Sequence, residues 1–206
     1  MDVLERWLAA VLATPGLTAL RDPAEARRVL LDDALRGAEL VARYEGPVVD
    51  VGSGGGTPGI PLAAALPGRE VTLLEAARRK CDFLRRWEDE LPNLRVVWGR
   101  AEEQPVERYG VAVAKALAPP PVAAEWCLPL VRAGGAAVLW VGLLSTGLVL
   151  ALRLHGWPAW YLLYLPIMEG VRIEQYTISS SSARSSPCGL GANAGPGCLL
   201  SAAPSP

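Results

Sequence analysis

The sequence predicts an α/β protein whose parallel sheet is doubly wound, with helices placed ahead of the first strand. Three observations carry this expectation. Short apolar runs of strand length alternate with amphipathic runs of helix length from residue 47 to residue 141. A glycine-rich turn, Gly52-Ser53-Gly54-Gly55-Gly56, follows the first apolar run and precedes a helix start. Acids close the first two strand candidates, Asp50 near the end of one and Glu75 at the end of the other. In a doubly wound sheet the carboxyl ends of the strands are where ligands bind.

The elements follow in order. Residues 3–13 place Leu4, Trp7, Leu8, Val11 and Leu12 on one helical face, and Pro15-Gly16 ends that helix. Asp22 caps a second helix and Pro23 takes its first position, with the pattern running to about Val41. Residues 1–45 therefore read as an N-terminal helical extension. Strand 47–51 leads to the glycine turn and to a helix over 59–66, stopped by Pro67-Gly68. Strand 70–75 precedes a helix over 77–90, which turns Phe83, Leu84 and Trp87 inward. Its basic residues Arg78, Arg79, Lys80, Arg85 and Arg86 are mostly outward. Strands 94–98 and 110–117, a helix over 121–130, a Gly134-Gly135 turn and strand 136–141 complete a core of residues 46–142.

At 206 residues the chain is long enough for one domain with short appendages, and its net charge of −1 gives no global field for nucleic acid. Any such binding has to come from a local patch. Cys81, Cys127, Cys188 and Cys198 are scattered without a C-x-x-C, and His155 is the single histidine, which argues against a metal site or a disulfide framework. Asp2 and Glu5 interrupt the N-terminus where a signal peptide would be basic and then apolar, so a reducing, cytoplasmic setting is expected.

Charge is unevenly spread: residues 133–206 hold only Arg153, Glu169, Arg172, Glu174 and Arg184. The uncharged run 133–152 is long enough to span a bilayer. Its punctuation by Gly134-Gly135 and Gly142 favours a buried fifth strand instead, and no membrane partner is expected. Residues 143–178 form an atypical apolar segment that could complete the sheet. Residues 179–206, rich in glycine, proline and serine, are expected to be a disordered tail.

The glycine turn has two ligand readings. Gly54-x-Gly56-x-x-Gly59, with Glu75 following 21 residues after Gly54, matches a dinucleotide fingerprint and would imply an NAD-type oxidoreductase. Counted from Asp50, the same stretch is Asp-x-Gly-x-Gly-x-Gly, the first motif of S-adenosylmethionine-dependent methyltransferases of class I. Pro58 and Pro61 each lack an N–H that a pyrophosphate would use, which favours the methyl donor. A turn without a ligand is the third reading, but four glycines in five residues cost backbone entropy that folding alone rarely needs. Glu75 can accept hydrogen bonds from two ribose hydroxyls, or can be a solvated charge at a strand end. Ala101 and Glu102 can bracket an adenine, or can belong to an exposed loop.

The stretches VDVGSGGGTPGIPLA (49–63), TLLEAARRKCDFLRR (72–86), VVWGRAEE (96–103) and AKALAPPPVAAEWCLPLVRAGGAAVLWVG (114–142), with GLTALRDP (16–23) before them, give a resemblance. The chain resembles the bacterial ribosomal RNA small subunit methyltransferase G family, also called glucose-inhibited division protein B. The resemblance implies a Rossmann-like class I methyltransferase sheet, S-adenosyl-L-methionine as cofactor, and methylation of N7 of a guanine in small-subunit (16S) rRNA. It implies cofactor contacts at Gly52, Gly54, Gly56, Thr57, Ala101, Glu102 and Lys115, with Asp50 and Glu75 at the usual acid positions. Lys115 stands where the family usually has an arginine, which replaces a planar fork by a point charge.

For RNA phosphates, Arg85, Arg86, Arg100 and Lys115 are the local candidates, against the alternative of a solvated helix face. Guanine N7 carries a lone pair and no proton, so no general base and no catalytic residue in that sense is expected. The chain departs from the family pattern at Leu30-Leu31-Asp32-Asp33-Ala34-Leu35, where a histidine is common. It departs again at Trp140-Val141-Gly142, where a lysine is, and in lacking a basic tail. A non-catalytic relative that keeps only the cofactor fold is therefore an alternative. A monomer is expected.

Loss of charge and loss of resemblance coincide near residue 143, which motivates the hypothesis of a shifted reading frame beyond it. Translating the other frames of the coding DNA is expected to yield a charged helix and a basic tail. Frames that yield neither would overturn the hypothesis.

Overall fold

Val48–Val51 (β1), Val71–Glu75 (β2), Leu94–Trp98 (β3), Tyr109–Lys115 (β4) and Val131–Trp140 (β5) pair as one parallel sheet in the order β3-β2-β1-β4-β5. The computed structural model of the chain describes residues 2–140. The expectations for residues 143–178 and 179–206, and for the distal half of the uncharged run, lie outside the described residues. Every residue of β1 and β2 is buried. Helices cover both faces of such a sheet, so its central strands read as unbroken apolar runs. Connections from β1 leave in opposite directions, to β2 on one side and eventually to β4 on the other. This puts a topological switch point beside the carboxyl end of β1.

Alternation along the strands divides the core. Val48, Val71, Leu73, Val111, Val113 and Val138 face Val3–Ala13 (α1), Gly59–Ala65 (α5), Arg78–Leu84 (α6) and the rest of the N-terminal helices. Val49, Val51, Leu74, Ala112, Ala114 and Ala137 face the other way, toward Pro120–Cys127 (α7) and the turn after it.

The expected single helix from Asp22 to Val41 is instead a broken one. It runs as Pro23–Ala26 (α2), a π-helical turn Arg27–Asp32, Asp33–Arg36 (α3) and Ala38–Ala42 (α4). Asp22 caps it as the sequence indicates, Oδ1 accepting the Glu25 amide at 2.7 Å. The interruption has a tertiary cause: the Leu30 carbonyl receives the Thr57 hydroxyl at 2.7 Å, a side chain inserted into the helical ladder. At Gly37 the chain passes so close to Trp140 that a Cβ would lie 2.3 Å from its ring.

Helix α6 is also shorter than its pattern. It tightens into a 3₁₀ turn, Arg85–Trp87, after which Glu88 accepts the Val96 amide of β3 at 2.8 Å. Strand β4 stops at Lys115 and not at 117, because Ala116 turns the chain to φ 52. Gly134-Gly135 is not a turn before β5 but an irregularity within it. The register moves from Tyr109↔Val131 to Val111↔Ala136, so five β5 steps match two on β4. A Cβ on Gly135 would lie 2.3 Å from the Gly110 carbonyl oxygen, so the two backbones meet where neither carries a side chain.

Gly110 gives a measurable consequence. A Cβ there would stand 1.8 Å from the Glu45 carbonyl oxygen, which only a backbone shift relieves, whereas one on Gly68 meets nothing within 4 Å. Gly110→Ala is expected to cost about 2 kcal/mol or more by urea unfolding. Gly68→Ala should stay within about 0.5 kcal/mol of the parent. Equal midpoints for the two variants would contradict the packing described.

Candidate functional site

The loop after β1 is built on backbone that other residues avoid. Gly52 and Gly54 have φ +71 and +58, which an L side chain adopts only at a cost, and Gly56 follows at +104. The Gly52 and Ser53 amides donate to the Leu74 carbonyl at 2.8 and 3.2 Å, extending the β1–β2 ladder into the turn. The Ser53 hydroxyl donates back to the Asp50 carbonyl at 2.8 Å. From the helical extension, the Trp7 indole N–H donates to the Gly55 carbonyl at 2.8 Å and Thr57 reaches the Leu30 carbonyl. Two helices that precede the sheet in sequence therefore hold the far side of the loop.

Glu75 holds the near side. Its Oε2 accepts the Gly54 amide and its Oε1 the Ala77 amide, both at 2.8 Å, so one carboxylate ties the loop to the entry of α6. Asp50 lies beneath, fully buried, with Oδ2 accepting the Gly59 amide at 3.0 Å and Oδ1 without a partner. Burial pushes its carboxyl up to about 7; the Gly59 hydrogen bond opposes that rise and the Glu75 charge adds to it. Asp50 is thus turned into the protein, toward the start of α5, and not toward the open side of the loop. The sequence reading placed it among cofactor contacts; in the structure its carboxylate is buried against the Gly59 amide.

The first turn of α5 keeps no free amide. Gly59 donates to Asp50, Ile60 to the Gly56 carbonyl at 2.7 Å, Leu62 to the Pro58 carbonyl at 3.0 Å, and Pro61 has no N–H. Above Gly54 there is room: the nearest atom to an added Cβ is the Gly52 carbonyl oxygen, 3.8 Å away. Above Gly52 the side chain of Leu117 closes in, its Cδ1 2.3 Å from where a Cβ would be.

The other expected residues divide. Ala101 is half-buried in the 3₁₀ turn Ala101–Glu103 after β3, and Glu102 beside it is exposed. Glu103, which sequence reasoning gave no role, closes that turn by accepting the Arg100 amide at 3.0 Å. Arg100 is largely exposed, 3.9 Å from Glu102. Arg85 pairs with Asp82 at 3.0 Å, and the Arg86 guanidinium lies 5.6 Å over the Phe83 ring.

Lys115 departs most from its expected role. Its ammonium forms a largely buried ion pair with Asp33 of α3, whose backbone carbonyl also accepts the Trp140 indole N–H at 3.2 Å. Asp33 packs over the end of β4 and takes the nearest cation, so Lys115 serves the docking of the helical extension. Sequence reasoning passed over Trp7 and Asp33. Their only signals were an indole N–H on an apolar helix face and an acid inside the apolar run 30–35.

Two surface hollows lie elsewhere. One, of about 310 Å³, is lined by residues that include Thr14, Pro15, Arg79, Asp82, Phe83 and Arg86. The other, of about 440 Å³, is lined by residues that include Tyr44, Pro47, Arg69 and Glu70, at the amino ends of β1 and β2. Among the described residues no cluster of three His, Cys, Asp or Glu side chains is placed to hold a metal ion, and no helix is long and apolar enough to cross a membrane.

Comparison with known proteins bears on this loop directly. The family model for rRNA small subunit methyltransferase G matches residues 3–146. The chain belongs to the rRNA small subunit methyltransferase G family. A family member from Synechococcus elongatus is 42% identical over 136 residues, covering 62% of this chain and 56% of its own length. Another, from Rubrobacter xylanophilus, is 43% identical over 155 residues, covering 69% and 58%. The chain spans little more than half the length of these methyltransferase G relatives. The family match takes in the glycine loop, Glu75, the turn at Ala101, and the Asp33–Lys115 pair.

Asp50 supplies the test of this geometry. Its carboxyl binds a proton more tightly folded, near 7, than at its ordinary value of 3.8. The stability this gives is full below about pH 4 and is lost as pH rises through about 7. Asp50→Asn keeps an acceptor for the Gly59 amide and removes the titration. The variant should gain on the parent by on the order of 2 kcal/mol between pH 5 and pH 7.5 in urea unfolding. Parallel pH profiles would show that Asp50 is not desolvated as described.

Proposed function

We propose that the chain is an S-adenosyl-L-methionine-dependent methyltransferase acting on N7 of a guanine in small-subunit rRNA. One observation carries the cofactor assignment. The loop leaves open space above Gly54 beside a carboxylate, Glu75, while the helix behind it has no amide left for a phosphate. Each Glu75 oxygen holds one amide and retains a lone pair. That pair of acceptors suits the two hydroxyls of a ribose. A dinucleotide would bring a pyrophosphate to the start of α5, where Gly59, Ile60 and Leu62 are already bonded and Pro58 and Pro61 cannot donate. The fit therefore favours an adenosyl ligand over a dinucleotide.

In this reading Gly54 lets backbone approach the ligand while Gly52 and Gly56 give the loop its positive φ against Leu117 and against Ile60 and Trp7; Glu75 holds the ribose, and Ala101 and Glu102 flank the adenine. Asp50 and Thr57 position the loop from below and from the side of the helical extension. Leu117 packs over Gly52 and closes that part of the loop. Lys115, held by Asp33, fixes the end of β4 from which Ala116 and Leu117 turn. The bound cofactor supplies an activated sulfonium methyl group. The attacking guanine N7 has a lone pair and no proton to lose, so this chain's residues orient and desolvate without removing a proton.

Arg85, Arg86 and Arg100 are offered as phosphate contacts, each carrying its charge at the surface. Residues 46–142 would be the cofactor-binding core and the preceding helices its buttress. The setting is cytoplasmic and the protein a monomer.

Calorimetric titration with S-adenosylhomocysteine tests the cofactor, and tritiated methyl transfer to small-subunit rRNA tests the substrate. Binding and incorporation are expected, with Glu75→Gln weakening S-adenosylhomocysteine about tenfold or more through loss of a charged acceptor. Uptake of NADH in place of S-adenosylhomocysteine would overturn the assignment.

A further inference from the structure

Among the described residues Trp98 is the most exposed aromatic, at 56%, and it stands at the carboxyl end of the edge strand β3. A single exposed indole is ordinary on a protein surface, so what singles this one out is its surroundings. The ring is fixed: its N–H donates to the Ala76 carbonyl at 2.9 Å, directly after Glu75. In the sheet Trp98 is the register partner of Glu75 itself, one strand spacing of about 4.8 Å away. The Arg78 guanidinium lies 5.5 Å over the ring. Arg100 follows two residues after the tryptophan and is exposed, whereas Arg79, next to Arg78, donates to the Pro15 carbonyl of the helical extension.

The nearby acids are largely accounted for. Both Glu75 oxygens accept amides, Glu103 accepts the Arg100 amide, and Glu102 lies 3.9 Å from Arg100.

We infer that Trp98, with Arg78 over it, is a stacking platform for an unpaired base of the RNA substrate, set beside the glycine loop. The inference rests on the methyltransferase reading above and adds a substrate-positioning surface to it. A rigid aromatic face accepts any base by stacking, and the guanidinium of Arg78 beside it can take a phosphate that a nucleotide strand necessarily carries. A protein partner would need no guanidinium over the ring, and the uncharged adenine of a cofactor would not either. Because the indole is anchored to the residue after Glu75, a base stacked on it would lie close to the proposed ribose site. A nucleotide flanking the target would then be held while the guanine enters the groove.

The experiment uses the full chain, deproteinised small-subunit rRNA in a salt titration, and S-adenosylhomocysteine by calorimetry. Trp98→Leu should weaken rRNA binding about tenfold, and Trp98→Phe, which keeps a ring, should stay within about threefold of the parent. Arg78→Gln should make the salt dependence shallower by about 0.7 in slope. S-adenosylhomocysteine affinity and the urea midpoint should not change in any of the three. Two results would overturn the platform: unchanged rRNA affinity in Trp98→Leu, or a loss of S-adenosylhomocysteine affinity with rRNA binding intact, which would give the ring to the adenine. A parent chain that takes up S-adenosylhomocysteine but not rRNA would remove the RNA reading and this inference together. An effect missing only in the variants removes this inference alone.

Discussion

A single carboxylate at the end of β2 organises the carboxyl face of the sheet. Glu75 accepts one amide from the glycine loop and one from the entry to α6, joining two connections that have no contact in sequence. Without that acceptor the Gly54 amide, in a left-handed turn, would need another partner, and orphaned backbone donors in partly buried positions are costly. The loop is therefore held open by hydrogen bonding and not by side-chain bulk. That is what a site needs if a ligand is to approach its backbone.

The helical extension completes this arrangement from the opposite side. Trp7 and Leu30 reach the loop through one hydrogen bond each, and Asp33 reaches the end of β4 through Lys115. A segment that precedes the sheet in sequence thus sets the shape of the sheet's working end. The extension gives up helical regularity to do so, adopting a π-helical turn where Thr57 inserts. Local irregularity of this kind is common at functional sites, where tertiary demands outweigh propensity. Asp50 shows a similar compromise, a carboxylate buried for one hydrogen bond to the start of α5 with its second oxygen unpartnered.

Polar groups at the strand ends fall into two kinds. Asp50, Asp33 and Lys115 are buried or nearly so and face other protein groups, so they act through geometry. Glu75 is buried with one amide on each oxygen and a further lone pair on each, and Arg78, Arg100 and Trp98 face outward. Residue type alone does not separate these kinds, since both contain acids and cations.

Alternating patterns determined the order and type of the elements from residue 47 to residue 140, because period 2 and period 3.6 are written along the chain itself. The Asp-x-Gly-x-Gly-x-Gly run fixed where the loop would be, since few residues besides glycine tolerate its φ values. Tertiary structure alone decided the direction of Asp50, the partner of Lys115, the break in the second helix and the inclusion of Gly134-Gly135 in β5. Each of these depends on an atom distant in sequence: the Gly59 amide, Asp33, Thr57 and the Gly110 carbonyl. A local pattern records which face a residue prefers. It carries no record of which group meets that residue once the sheet has closed.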